Sequence, residues 1–346
     1  MHTSAERKPA TEHPFALFCG EKGALWVSTC VASAVKLEPV IVEGLASLRG
    51  AIARPGVRFA VIDVDTLGTH GVSMVERLAT HGRVLVLTSA GPAIGAAAVD
   101  AGAVDVLVKP ADPTDQAWLA RLAGAVRALS LAPHPKPLAA PEVVKSPAAT
   151  GVSSKVVLIG CGLGGYGQLA RVLAQLPRTA PGVVVVYHTA EGMGVHVADR
   201  LRARTELSVR MLRDGDAIHP GTVCVAPQGF HTALRTTGSS YTARVFHGPS
   251  VTGCLPSANV LLDSSARYAG LNAIGVLLDS DSDDGARGLL ALRQAGGRTI
   301  CVSPESGVFT SAVRAASEIH AVQAAVSIDA VAAQIMRFAR GAALVA

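Results

Sequence analysis

The sequence predicts an α/β protein made of two doubly wound parallel-sheet domains joined by a linker. Three observations predict this. Short apolar runs alternate with amphipathic stretches from about Phe15 to Leu131, the alternation restarts after Lys155, and a proline-rich break separates the two. Strand–helix alternation implies crossover connections, and hence parallel strands. At 346 residues the chain is long enough for two domains, since one takes about 100–200 residues.

In the first half, strands are expected at Phe15–Cys19, Phe59–Val64, Arg83–Thr88 and Val104–Val108, with an Ala-rich helical stretch between the last two. Residues 132–150 contain five prolines, which disfavour a packed element and favour a semi-extended connection. The expected boundaries are a disordered segment at 1–13, a first domain at 14–131, a Pro-rich linker at 132–153 and a second domain at 154–346. In the second domain, strands are expected at Lys155–Ile159, Gly182–Tyr187, Thr222–Ala226, Ala273–Leu278 and Arg298–Ser303. Helices are expected after Gly165 and at His196–Arg204, Asn259–Ala269 and Ala286–Ala295.

Composition narrows the function classes. Apolar residues make up 49% and charged residues 16%, which excludes a disordered protein. The polar start, Met1-His-Thr-Ser-Ala-Glu-Arg-Lys-Pro, lacks the apolar core of a signal peptide. No uncharged apolar run reaches the ~18–20 residues of a membrane span. A cytoplasmic protein with no membrane insertion is expected. The net charge of +5 is mild and unclustered, so no nucleic-acid partner is expected. Six cysteines are scattered without a C-x-x-C pair. They read as reduced, mostly buried small hydrophobes, not as a zinc or redox motif.

The most informative segment is Lys155-Val-Val-Leu-Ile-Gly-Cys-Gly-Leu-Gly-Gly-Tyr-Gly167. As pattern, it is a strand entering a Gly160-x-Gly162-x-x-Gly165 turn that opens a helix, the dinucleotide fingerprint. That reading wants an acid about 20 residues on, at the end of the second strand. The second strand ends at Tyr187-His188, and Glu191 falls beyond it. No bound cofactor is expected, and a nucleotide-binding sensor is kept as an alternative.

The same turn resembles Ile-Gly-Ala-Ser-Thr-Gly-Gly of the chemotaxis protein-glutamate methylesterases, the CheB-like response regulators. Three more segments are similar in the family's order: Asp214–His231 with its Pro-Gly-Thr-Val-Cys-Val-Ala-Pro run, Leu255–Gly270, and Gly275–Thr299. The resemblance implies a Ser–His–Asp acyl-transfer site, in which a base takes the serine proton and an acid orients the base. His188 stands at the base position and Asp284 at the acid position. The backbone amide of Asp281 falls where the family supplies an oxyanion donor, in a loop that here reads Asp279-Ser-Asp-Ser. Gly162 stands where the nucleophilic Ser belongs. Cys161 is one residue early, and one residue changes side-chain direction. Losing the serine of a subtilisin-type protease costs about 10⁶ in turnover. Asp279 and Asp281 oppose the charge that develops on an oxyanion. The run Asp279-x-Asp281-x-Asp283 does not fit a Ca²⁺ loop, because Asp284 and Leu290 stand where Gly and Glu belong.

The first half resembles a receiver domain, a flavodoxin-like fold that accepts a phosphoryl group on an Asp. Asp63 stands at the acceptor position with Gly71 at the family's spacing, Thr88 at the hydroxyl position and Lys109 before Pro110. The family's acid pair is reduced to Gly20-Glu21. Asp63 and Glu21 are therefore expected to hold Mg²⁺ weakly if at all.

Taken together, the resemblance implies a chemosensory response regulator with impaired catalysis, binding chemoreceptors and a chemosensory histidine kinase. In an intact relative, phosphorylation of the receiver relieves steric blocking of the esterase site. A working methylesterase with a substitute nucleophile, Cys161 or a side chain from a distant loop, stays open as an alternative.

Overall fold

Runs of Val, Ile and Leu build two parallel sheets. A computed structural model describes residues 15–18, 39–42, 57, 59–80, 82–89, 92–112, 114–131, 155–162, 164–189, 193–237, 240–307 and 309–341. Glu21, the segment 1–13 and the linker 132–153 lie outside the described residues.

In the first half, β1 (Phe15–Phe18), β2 (Pro39–Ile41), β3 (Phe59–Asp63), β4 (Arg83–Thr88) and β5 (Asp105–Val108) form a parallel sheet in the order β2-β1-β3-β4-β5. This is the doubly wound order in which ligands meet the carboxyl ends of the strands at the β1/β3 switch. Helices α1 (Gly71–Ala79), α2 (Pro92–Asp100) and α3 (Gln116–Leu131) connect and flank it. β3 and β4 are buried along their whole length, as expected of a sheet covered on both faces.

The second half holds β6 (Val156–Cys161), α4 (Gly165–Gln175), β7 (Gly182–Tyr187), α5 (Met193–Arg202), β8 (Ser208–Met211), β9 (Ala217–Ile218), β10 (Thr222–Val225), β11 (His231–Thr237) and β12 (Ser240–Phe246). Then come α6 (Ala258–Tyr268), β13 (Ala273–Leu277), α7 (Ala286–Gln294), β14 (Arg298–Val302), α8 (Ser311–Glu318), β15 (Ala324–Val326) and α9 (Ile328–Ala339). Seven strands form a parallel sheet in the order β15-β14-β13-β6-β7-β10-β8. The connections run one way from β6 and the other way from β13, so the switch point lies between them. Gly162, Asp279 and Ser280 follow these two strands directly, and His188 follows β7.

The expected strands lie within about two residues of the observed ones. The sequence reading missed β2, β8, β15 and a three-stranded antiparallel sheet, β11-β12-β9. Its hairpin is exposed along much of one face, so it lacks the continuous apolar run that marks the central strands.

The halves touch. Phe309, from the segment before α8, is 1% exposed and joins the first half's apolar cluster with Leu107, Trp118 and Leu122. Arg121 of α3 pairs with Asp281 at 3.6 Å.

Candidate functional site

The turn after β6 is shaped by close packing. A Cβ on Gly160 would meet Ala258 Cβ at 2.8 Å, and one on Gly165 would meet the Asp279 carbonyl at 2.7 Å. Gly164 has φ +80, a left-handed conformation that favours glycine, and it starts α4. These glycines therefore serve a tight strand-to-helix turn, whatever the turn binds.

Gly162 faces the site. A Cβ there would lie 3.3 Å from His188 Nδ1 but only 2.6 Å from the Ser280 hydroxyl. The side chain of Ser280, 1% exposed, thus fills the space of the expected nucleophile. His188 is held by its backbone N–H donating to Cys161 O at 2.8 Å. Its ring brings Nε2 within 2.9 Å of Asp284 Oδ2. Nδ1 is buried and has no hydrogen-bond partner among the described residues.

Asp284 is the most heavily anchored group. Its Oδ1 accepts from Thr252 Oγ1 at 3.0 Å, Ser257 Oγ at 2.7 Å and the Asn259 N–H at 3.3 Å. Its Oδ2 accepts from the Ala258 N–H at 2.5 Å. The carboxylate sits on the first turn of α6, where amides and the helix dipole favour an anion. Burial opposes its charge, but His188, Ser257 and Ala258 hold it below the usual carboxylate range. Burial likewise opposes charge on His188, yet Asp284 and the Cys254 sulfur outweigh it and raise the imidazole to about 10.

Asn259, where the family pattern has Asp, accepts from the Gly288 N–H at 2.8 Å in a buried position. A neutral acceptor suits that place. Cys161 is buried, and burial pushes its thiol far up. It packs into the core cluster of the second half. Asp279 accepts from the Phe309 N–H at 3.2 Å while Asp281 turns to Arg121, so their carboxylates diverge.

Residues 157–335 match the family model of the CheB methylesterase, more than half of the chain. The chain belongs to the CheB methylesterase family. It is 37% identical over 294 residues to protein-glutamate methylesterase/protein-glutamine glutaminase 4 of Anaeromyxobacter dehalogenans, covering 80% of this chain and 81% of that one. It is 32% identical over 306 residues to protein-glutamate methylesterase/protein-glutamine glutaminase 2 of Albidiferax ferrireducens, covering 83% and 89%. The catalytic domain of the Thermotoga maritima CheB methylesterase aligns with a TM-score of 0.52 and 26% identity, over 54% of this chain and 99% of that one.

The first half presses on this CheB-type turn. Asp105, at the start of β5, accepts from the Gly164 N–H at 2.5 Å. Burial pushes the Asp105 carboxyl up to about 7, against donation from the Val106 and Gly164 amides and with Asp281 adding to the rise. A carboxylate of one half thus occupies an amide at the N-terminus of α4 in the other.

The acidic site of the first half contains a residue the sequence reading overlooked. Lys109 Nζ donates to Asp63 Oδ2 at 2.7 Å and also pairs with Asp65 Oδ2 at 2.8 Å. Thr88 Oγ1 donates to Asp65 Oδ1 at 2.5 Å, not to the Asp63 side. The Ser89 N–H and Oγ both donate to Asp65 Oδ2 at 2.6 Å. Partial burial opposes the charge on Asp65, but Lys109, Ser89 and Thr88 hold its carboxyl far below the usual range. The signal was available: Asp63 and Asp65 are two residues apart at a strand end. For Mg²⁺ the fit is poor among the described residues. Asp63 already receives Lys109 on one oxygen and the Asp65 N–H on the other, at 3.1 Å.

No helix among the described residues is long and apolar enough to cross a membrane.

Proposed function

We propose that this chain is a chemosensory regulator of the CheB methylesterase family that recognises receptor glutamyl side chains and has lost serine-type hydrolysis. The observation that carries this is at Gly162: the nucleophile position has no side chain, and the Ser280 side chain fills the vacated space. His188 and Asp284 keep the geometry of a base and its orienting acid. The base and acid positions are thus filled while the position of the attacking hydroxyl carries no side chain of its own. A cavity of about 300 Å³ between the β11–β12 hairpin and α6 is lined by Arg235, Arg244 and Arg267, the last paired with Asp263, and its two remaining guanidinium groups suit an acidic receptor segment.

The first half reads as a receiver whose output is steric. It sits over the turn through Asp105, Arg121 and the pocket for Phe309. Asp65 takes the hydroxyl and much of the ammonium that a phosphoryl group on Asp63 would need. Phosphoryl acceptance therefore requires Asp65 to swing out.

The test is methanol release from methylated receptor, together with labelling by a fluorophosphonate. Sustained release is expected to match the control without protein, and no serine is expected to be labelled. Sustained release that disappears in Ser280→Ala would show a serine hydrolase with a relocated nucleophile and end this reading.

A further inference from the structure

Cys254 differs from the other described cysteines. Cys161, Cys224 and Cys301 are buried, whereas Cys254 is partly exposed. It lies in a loop between β12 and α6, far in sequence from the glycine turn. One ligating atom from each of His188, Cys254 and Asp284 lies within 4.8 Å of the other two. The His188 side chain is nine-tenths buried, and its Nδ1 lacks a hydrogen-bond partner among the described residues. A buried imidazole held by an acid, with a thiol within 4.8 Å, can carry that thiol's proton.

The loop holding Cys254 is itself unusual. Val251 and Cys254 exchange both backbone hydrogen bonds, Val251 N–H to Cys254 O at 3.0 Å and Cys254 N–H to Val251 O at 2.9 Å. The two residues between them, Thr252 and Gly253, have φ of +49 and +75. Such turns favour Asn-Gly or Gly-Gly, and a β-branched residue there costs about 1–3 kcal/mol. The Thr252 hydroxyl is placed between two acceptors, Val251 O at 2.7 Å and Asp284 Oδ1 at 3.0 Å. The strained turn therefore links the thiol to the acid that positions His188.

We propose that Cys254 is a nucleophilic thiol that takes up an acyl group, with His188 as its base and Asp284 as the positioning residue. In the resting pair the thiol proton already sits on His188, and the thiolate attacks the acyl carbon. The C–S bond forms, the C–O bond to the alkoxide breaks, and His188 returns the proton so that an alcohol leaves. Atoms and electrons balance without a co-reactant. The acyl class, a carboxylic ester such as a glutamyl methyl ester, rests on the family reading above. The thiol chemistry does not rest on it.

A metal held by the same three residues is the rival. Asp284 argues against it, because its oxygens already accept two hydroxyls and two amides that a cation would have to share.

The experiment uses the full chain and small reagents, so it stands apart from receptor recognition. Iodoacetamide alkylation is followed by peptide mass spectrometry across pH 5–9, and p-nitrophenyl acetate supplies an acyl group. At pH 6, Cys254 is expected to react at least about tenfold faster than a free cysteine, as thiols paired with His⁺ do. The acetate reagent is expected to give one equivalent of nitrophenolate per chain and an acetyl adduct on Cys254. Both effects should be lost in His188→Asn, and the adduct should be lost in Cys254→Ser but kept in Cys161→Ala. Ordinary thiol reactivity in the unmodified protein overturns the proposal without reference to any variant's folding. So does zinc that survives dialysis and protects Cys254 from alkylation. If the thiol reacts as expected while methylated receptor fails to bind, only the receptor reading falls.

Discussion

The two halves use similar sheets and fill their strand-end sites in different ways. In the first half the occupant is local. Asp65, two residues from Asp63, takes Thr88, Ser89 and Lys109. In the second half the occupants come from elsewhere in the fold. Ser280 fills the place of a side chain at Gly162, and Asp105 reaches across from the other half to Gly164. A local occupant can leave by turning one side chain. A remote one leaves only when whole elements move. The first site therefore resembles a latch, and the second a closed lock.

The sharpest way to break this comparison is to remove one acid from each half. Asp284→Ala strips the partner from a buried His188 and orphans several donors, a loss of about 3–5 kcal/mol. Asp65→Ala removes a partly exposed carboxylate, leaves Lys109 paired to Asp63, and should cost about 1 kcal/mol. Thermal unfolding of both variants checks this, and equal losses would erase the distinction. The Asp65→Ala variant is also expected to accept a phosphoryl group on Asp63 about tenfold more readily from a small-molecule donor. That corresponds to one charge-assisted hydrogen bond of ~1.4 kcal/mol, and phosphoprotein labelling with and without Mg²⁺ measures it.

A smaller effect is expected at Gly162. The obstacle to a serine there is Ser280, since the added Cβ would lie 2.6 Å from its hydroxyl. Overpacking of this kind costs about 1–3 kcal/mol. Gly162→Ser should therefore be destabilised in urea, and adding Ser280→Gly should recover most of the loss. The double variant is expected to regain weak fluorophosphonate labelling that disappears with His188→Ala. Full stability in the single variant would show that Ser280 can give way to a side chain at Gly162.

The smallest effect is a pH dependence of docking between the halves. Asp105 has a raised value when docked, about 7 against an ordinary 3.8. The docked state thus holds its proton more tightly. Docking gains the full benefit below about pH 4 and loses it as pH rises through about 7. Limited proteolysis of the 132–153 segment should be faster at pH 8 than at pH 5, and Asp105→Asn should flatten that difference.

The elements that could be read from sequence are those whose physics is local. Fully buried strands such as β7 announce themselves by apolar runs, and Gly162 and His188 sit just beyond strand ends, while Asp284 lies just before α7. Cys254, Asp105 and Phe309 were invisible because their roles depend on partners far away in sequence. Thr252-Gly253 marked a turn but not its purpose. Ser280 was read only as part of a loop, since nothing in its neighbours says that it points into the gap at Gly162. The hairpin was missed for a different reason: one of its faces is wet.

Phe309 carries a practical consequence for anyone dissecting the chain. It is an aromatic knob of the second half seated in a socket of the first. Severing the chain at the linker would leave that knob in water and its socket empty. The isolated second half should therefore be sticky and prone to self-association, and the isolated first half should melt early. A Phe309→Ser change in the severed second half should restore its solubility, whereas in the intact chain the same change should loosen the pairing of the halves.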